Sequence, residues 1–103
     1  MKKVLIGAVA ASALLLAGVV QANADLAKSS GCLNCHNVDT KLVGPSLKDI
    51  AAKYAGQADA ATYLAGKIKN GSKDVWGPIP MPPYTTVNDE NAKVLADFIL
   101  TLK

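Results

Sequence analysis

The feature that most constrains this chain is the pentapeptide from Cys32 to His36, which reads Cys-Leu-Asn-Cys-His. Two cysteines at this spacing occur in disulfides, in redox-active thiol proteins and in zinc sites. When a histidine follows directly, the pattern is also the attachment signature of a c-type haem. In that case the thiols of Cys32 and Cys35 form thioethers with the haem vinyl groups, and the His36 imidazole ligates the iron.

The alternatives to haem attachment fit the rest of the sequence less well. A thioredoxin-like protein would need a strand before the motif and a βαβ pattern, and neither is visible. A structural zinc site usually has four ligands, whereas this motif provides three and the chain has no other Cys or His. A plain disulfide between Cys32 and Cys35 is the remaining alternative. We predict one covalently attached haem c per chain.

The first 24 residues have the tripartite pattern of a secretory signal peptide. The n-region is basic, residues 4–20 are almost entirely apolar, and Ala22-Asn23-Ala24 is an A-x-A cleavage site. A retained membrane anchor is the alternative, but the apolar run is short for a membrane span. We therefore predict export to the periplasm, cleavage after residue 24, no membrane span in the product, and a mature domain of residues 25–103.

Cleavage at that site would leave 79 residues, enough for one small domain with a modest core. Chains this short usually need additional stabilisation from a metal or a cofactor, and a covalent haem would provide it. Loss of Lys2 and Lys3 lowers the formal net charge from +3 to +1. A nearly neutral chain gives no indication of nucleic-acid binding.

Four helical stretches and no convincing strand predict an all-α fold. Each stretch begins at a residue that favours helix N-termini, and the last three carry apolar residues at helical spacing. The predicted N-caps are Asp25, Ser46, Asp59 and Asn88, and the predicted stops are Gly31, Gly56 and Gly71.

Residues 72–87 form a long loop between the third and fourth helices. Four prolines within residues 78–83 exclude a helix and a central strand, and loops of this length in small domains are usually functional. Met81 lies between two of these prolines and is the one methionine that remains after the signal peptide is removed. A lone methionine in a stiff loop is a poor core filler. We predict that Met81 is the second axial ligand, opposite His36.

A histidine and a methionine on the same iron indicate electron transfer. The thioether is a soft ligand that raises the reduction potential, and it closes the iron to small molecules. A peroxidase or a gas sensor would need an open sixth position with acid–base residues beside it. We therefore predict a soluble electron carrier that cycles between Fe(III) and Fe(II) and is not an enzyme. Besides an enzyme or a sensor, the other alternative to an electron carrier is a thiol protein that binds no haem.

Three segments of the mature chain together resemble a known family. They are the Cys32 to His36 motif, Gly44-Pro45, and the segment from Trp76 to Pro83. The chain resembles the small bacterial class I cytochromes c, the c-551/c-552 group, over the whole mature length. The resemblance implies four to five helices wrapped around one haem, with His36 and Met81 as axial ligands. The carbonyl of Pro45, already a candidate acceptor for the second ring nitrogen of His36, is implied to bond to it.

The resemblance also implies contacts to the haem propionates. Trp76 would direct its indole N–H toward a propionate, with simple packing as the alternative. Lys67 lies where the family often has a basic residue near the propionates. One departure concerns Tyr84, which stands where relatives commonly carry an Asn that bonds the ligand region. The resemblance therefore makes no prediction for the orientation of the Met81 side chain.

An electron carrier must present one edge of its haem to its partners. Apolar residues beside the two haem-facing loops would rim that edge, and lysines near them would either steer a partner or simply be solvated. The candidates are Leu42, Val43, Ile79 and Pro80, with Lys28, Lys41 and Lys48 around them. We expect a monomer that forms short-lived complexes with redox proteins such as a nitrite reductase, a terminal oxidase or another cytochrome.

Overall fold

A computed structural model describes residues 23–102, and this part of the chain is helical with no β-strand, which confirms the all-α prediction. Helix α1 includes residues 23–29, and a 3-10 turn follows at Cys32–Asn34. Helices α2, α3 and α4 span Leu47–Tyr54, Ala60–Asn70 and Asp89–Thr101. The signal-peptide prediction falls on residues 1–22, outside the described residues, and on residues 23 and 24, which are helical. Asp25 is thus inside α1 and does not cap it.

Side-chain caps begin α2 and α4, as the sequence predicts. The Ser46 hydroxyl accepts a hydrogen bond from the Asp49 N–H at 3.0 Å, and the Asn88 side-chain oxygen accepts one from the Asn91 N–H at 2.7 Å. These bonds satisfy backbone donors that have no partner within the first helical turn. Asp59 is also the N-cap residue of α3, as predicted, but its side chain makes no capping hydrogen bond.

Helix α4 lies at the centre of the core. Its residues Ala92, Leu95 and Ala96 are fully buried, and α2 and α3 both pack against it. An ion pair between Lys69 and Asp89 joins the end of α3 to the start of α4. The other buried apolar side chains of this core are Ala27, Leu47, Ile50, Tyr54, Ala60, Leu64, Ile68, Val87, Phe98 and Ile99.

The long loop after α3 is closed by a short backbone pairing. The Ser72 N–H donates to the Met81 carbonyl at 3.0 Å, and the Met81 N–H donates back to the Ser72 carbonyl at 2.9 Å. Glycine is needed at position 71, where α3 ends and the loop begins. Its φ is +77°, and a Cβ there would lie 2.4 Å from the Met81 carbonyl oxygen. The pairing fixes the backbone of Met81 beside the end of α3.

Candidate functional site

Beside the helical core lies a cavity lined by Cys32, Cys35, His36 and Met81. Its empty volume, counted out to its open mouth, is about 1110 Å³. The rest of the lining is mostly apolar or aromatic. It includes Val43, Pro45, Leu47, Ile50, Tyr54, Tyr63, Leu64, Lys67, Ile68, Ser72, Val75, Trp76, Ile79, Pro80, Pro82, Tyr84 and Ile99. The structure therefore brings together every residue of the predicted haem site.

The two cysteines lie on a tight turn at one wall of this cavity. Gly31, with φ of +87°, ends α1 and leads into the 3-10 turn, and the His36 N–H donates to the Cys32 carbonyl at 3.0 Å. Both cysteine side chains are half-buried, and no disulfide joins them. Burial raises the pKa of the Cys32 thiol, because a thiolate would lose hydration there.

The His36 ring is held from two directions. Its Nδ1 lies 2.7 Å from the Pro45 carbonyl oxygen, a short hydrogen bond that leaves Nε2 free to act as an acceptor or a metal ligand. The Gly44 N–H donates to the Cys35 carbonyl at 2.8 Å, which brings the Gly44-Pro45 turn against the ring. A Cβ on Gly44 would lie 2.7 Å from His36 Cε1, so only glycine fits. The ring orientation is therefore set by backbone contacts.

Aromatic rings and lysines gather at one side of the cavity. Trp76 is 39% exposed, and the Lys53 ammonium lies 4.5 Å from its ring centroid. The Lys67 ammonium lies 5.2 Å from the Tyr63 ring, which in turn lies 5.2 Å from the ring of Tyr54. Burial, followed by the neighbouring Tyr63, raises the pKa of Tyr54. The two residues expected near the propionates thus both line the cavity.

Exposed apolar side chains surround the mouth of the cavity. Val43 is 50% exposed and Ile79 is 64% exposed, and both line the cavity together with the exposed Pro80. Leu42 is also exposed but is not part of the lining. Three of the four predicted rim residues are therefore at the mouth.

The three predicted lysines do not line the cavity. Lys48 pairs with Asp39 at 2.5 Å, and exposed pairs of this kind contribute little to stability. The pairing also compensates part of the positive charge that Lys48 would offer to a partner. Lys28 and Lys41 are exposed.

Sequence reasoning missed three residues that shape the site. Ser72 pairs with the Met81 backbone, Lys53 lies over Trp76, and Gly44 packs on the His36 ring. The Gly-Pro dipeptide was a signal for a turn near His36 but not for the ring contact. The contacts of Ser72 and Lys53 join distant parts of the chain, and no local sequence pattern predicts them.

Comparison with known proteins identifies the family to which a chain with this arrangement belongs. A family model described as cytochrome c matches residues 20–103. This chain belongs to the cytochrome c family. It is a small electron-carrier haem protein, and it carries haem c attached covalently through Cys32 and Cys35. The side chains suit that group, because two thiols, an imidazole and a thioether meet in an otherwise largely apolar cavity.

Relatives of known name confirm the resemblance to the c-551/c-552 group. The cytochrome is 67% identical to cytochrome c-552 of Nitrosomonas europaea over 103 residues, which covers all of both chains. It is 58% identical to cytochrome c-551 of Pseudomonas aeruginosa over 78 residues, covering 76% of this chain and 74% of that one. The crystal structure of wild-type N. europaea cytochrome c552 matches with a TM-score of 0.76 at 70% identity, covering 78% of this chain and 99% of that chain.

Proposed function

We propose that this cytochrome is a soluble periplasmic electron carrier whose haem iron is ligated by His36 and Met81, and that it is not an enzyme. One observation carries the proposal. The two side chains are 45 residues apart in sequence, yet both line one largely apolar cavity together with Cys32 and Cys35. Bound haem supplies a one-electron Fe(III)/Fe(II) couple. The residues of the chain hold that group, orient its ligands and limit access of water.

His36 is preorganised for the proximal role. The Pro45 carbonyl accepts the Nδ1 hydrogen, which fixes the tautomer and leaves the Nε2 lone pair for the iron. The same bond makes the imidazole a stronger donor. Gly44 against the ring limits its rotation.

Met81 suits the distal role because its backbone is held on both sides. The pairing with Ser72 fixes its N–H and its carbonyl, and proline precedes and follows it. As a ligand of bound haem, the Met81 thioether would raise the reduction potential and would leave no open position for a substrate at the iron. On the rim, Trp76 and Lys67 can each offer an N–H group to a propionate.

The pattern of residues 1–24 supports export and cleavage. The crystallised N. europaea relative aligns over 99% of its length with 78% of this chain, a share close to that of residues 25–103. No helix among residues 23–102 is long and apolar enough to cross a membrane. We propose that the product is exported to the periplasm and acts there as a monomer.

Expression in a bacterial host that matures c-type cytochromes tests this proposal. We expect a red protein in the periplasmic fraction, with the mass of residues 25–103 plus one haem and a reversible one-electron couple. A double variant, Cys32→Ala with Cys35→Ala, should be colourless in the same fraction. Retention of the full-length chain in the membrane contradicts the proposed export. A high-spin haem that binds added ligands readily would favour an enzyme or a sensor.

The exposed apolar rim at the cavity mouth is the proposed docking surface for redox proteins, such as a nitrite reductase, a terminal oxidase or another cytochrome. A charge in the middle of such a surface must be desolvated in the complex. We expect Ile79→Lys to slow electron transfer to a protein partner roughly tenfold, since central contact residues commonly contribute more than ~1 kcal/mol. The reduction potential should not change.

The matched control for this experiment is Ala58→Lys, which adds the same charge at an exposed position outside the cavity lining. Stopped-flow rates for wild type and both variants with one partner, at one ionic strength, give the comparison. Equal slowing by both variants would indicate a general charge effect. Unchanged rates with Ile79→Lys would contradict docking at the rim.

A further inference from the structure

Tyr84 lies between the loop that carries Met81 and the turn that begins the haem motif. Its backbone N–H donates to the Ile68 carbonyl at 2.9 Å, which ties it to α3. Its half-buried ring lines the cavity and reaches across to Gly31. There the hydroxyl oxygen lies 3.5 Å from the Gly31 carbonyl oxygen. A Cβ on Gly31 would lie 3.5 Å from Tyr84 Cε2, within van der Waals distance.

The Gly31 end of this contact belongs to the haem motif. The Gly31 carbonyl accepts a hydrogen bond from the Asn34 N–H at 3.2 Å, the bond that encloses the 3-10 turn containing Cys32. The Tyr84 hydroxyl approaches that same carbonyl. The ring therefore contacts the backbone that positions the first cysteine.

The Tyr84 end of this contact is joined to Met81 by a short, stiff link. Only Pro82 and Pro83 separate the two residues. Each proline ring restricts φ to about −65°, so the link has few conformations. The pairing with Ser72 holds the Met81 backbone on one side, and this stiff link leaves the contact of Tyr84 with Gly31 to hold the loop on the other.

We propose that Tyr84 is a positioning residue for Met81, whose ring spans from the Met81 loop to Gly31 and keeps that loop closed against the turn of the haem motif. This inference rests on the proposed role of Met81 as axial ligand. Without the ring, a larger fraction of molecules has Met81 away from the iron. An added ligand such as imidazole then binds more tightly in proportion to that fraction.

The test is a titration of the oxidised holoprotein with imidazole. We expect Tyr84→Ala to bind imidazole about tenfold more tightly than wild type, and Tyr84→Phe to stay within about twofold, because Phe keeps the ring. Tyr84→Leu keeps apolar bulk but cannot reach Gly31, so its imidazole affinity should resemble that of Tyr84→Ala. It replaces the alanine variant in the test if that variant does not fold. Hydrogen exchange at the Met81 amide should be faster in the same two variants.

Leu100→Ala is the control for general loss of stability, because Leu100 is a partly buried residue of α4 outside the cavity lining. It should leave imidazole affinity unchanged. The inference is overturned if Tyr84→Ala and Tyr84→Leu fold and bind imidazole like wild type, or if Tyr84→Phe binds as tightly as Tyr84→Ala. A wild-type protein without methionine ligation would instead refute the proposed ligand set, so the two failures are distinguishable.

Discussion

Replacement of Met81 by alanine is expected to lower the reduction potential by roughly 0.1 V or more, within the ~0.8 V range over which axial ligands set haem potentials. The physical reason is loss of the soft thioether, which stabilises the reduced iron relative to the oxidised iron. The sixth position should open at the same time, so imidazole and carbon monoxide should bind readily. Protein-film voltammetry and ligand titration of the purified holoprotein measure both effects.

Ile79→Ala is the matched control for this variant. It truncates a neighbouring side chain of the same loop, and Ile79 is exposed at the cavity mouth. We expect little change in potential and no binding of added ligands. If Met81→Ala behaves in the same way as Ile79→Ala, Met81 is not a ligand.

Replacement of Gly44 by alanine is expected to destabilise the holoprotein by about 1–3 kcal/mol, the usual cost of adding a methyl group where there is no room. The added Cβ would lie 2.7 Å from His36 Cε1 and 3.0 Å from Nδ1. The ring would have to move, which would strain its 2.7 Å bond to the Pro45 carbonyl. Denaturant unfolding gives the loss of stability, and the NMR resonances of the His36 ring report its displacement.

Gly66→Ala provides the comparison, because a Cβ at that position of α3 meets no heavy atom within 4 Å. In the interior of a helix this change should be neutral or stabilising by up to about 1 kcal/mol. It should leave the His36 resonances in place. An effect of Gly44→Ala no larger than that of Gly66→Ala would contradict the packing of Gly44 on the ring.

The parts of this fold that could be predicted are those with local causes. Ser46 and Asn88 cap their helices because each side chain reaches an N–H three residues on. The apolar face of α2, including Leu47 and Tyr54, follows from helical periodicity alone. The haem motif is equally local, since its chemistry is contained in five consecutive residues.

The parts that could not be predicted depend on contacts between distant segments. A single methionine in a stiff proline-rich loop predicted a ligand, but not the pairing with Ser72 that holds it. Nothing around Lys53 indicates that it lies over Trp76. Asp59 shows a partial case, because it is the N-cap residue of α3 as predicted, yet its side chain does not form the capping hydrogen bond that makes Asp favourable there. Local propensity is therefore a weak guide where tertiary packing determines the conformation.

The most direct test of the His36 and Met81 ligand set is spectroscopy of the holoprotein with its methionine methyl group labelled. Because the predicted mature chain has a single methionine, any labelled signal belongs to Met81. The account predicts weak near-infrared absorption from a sulfur–iron bond in the oxidised protein, and one strongly ring-current-shifted methyl resonance in the reduced protein. A methyl resonance at its ordinary position, together with a high-spin spectrum, would contradict it.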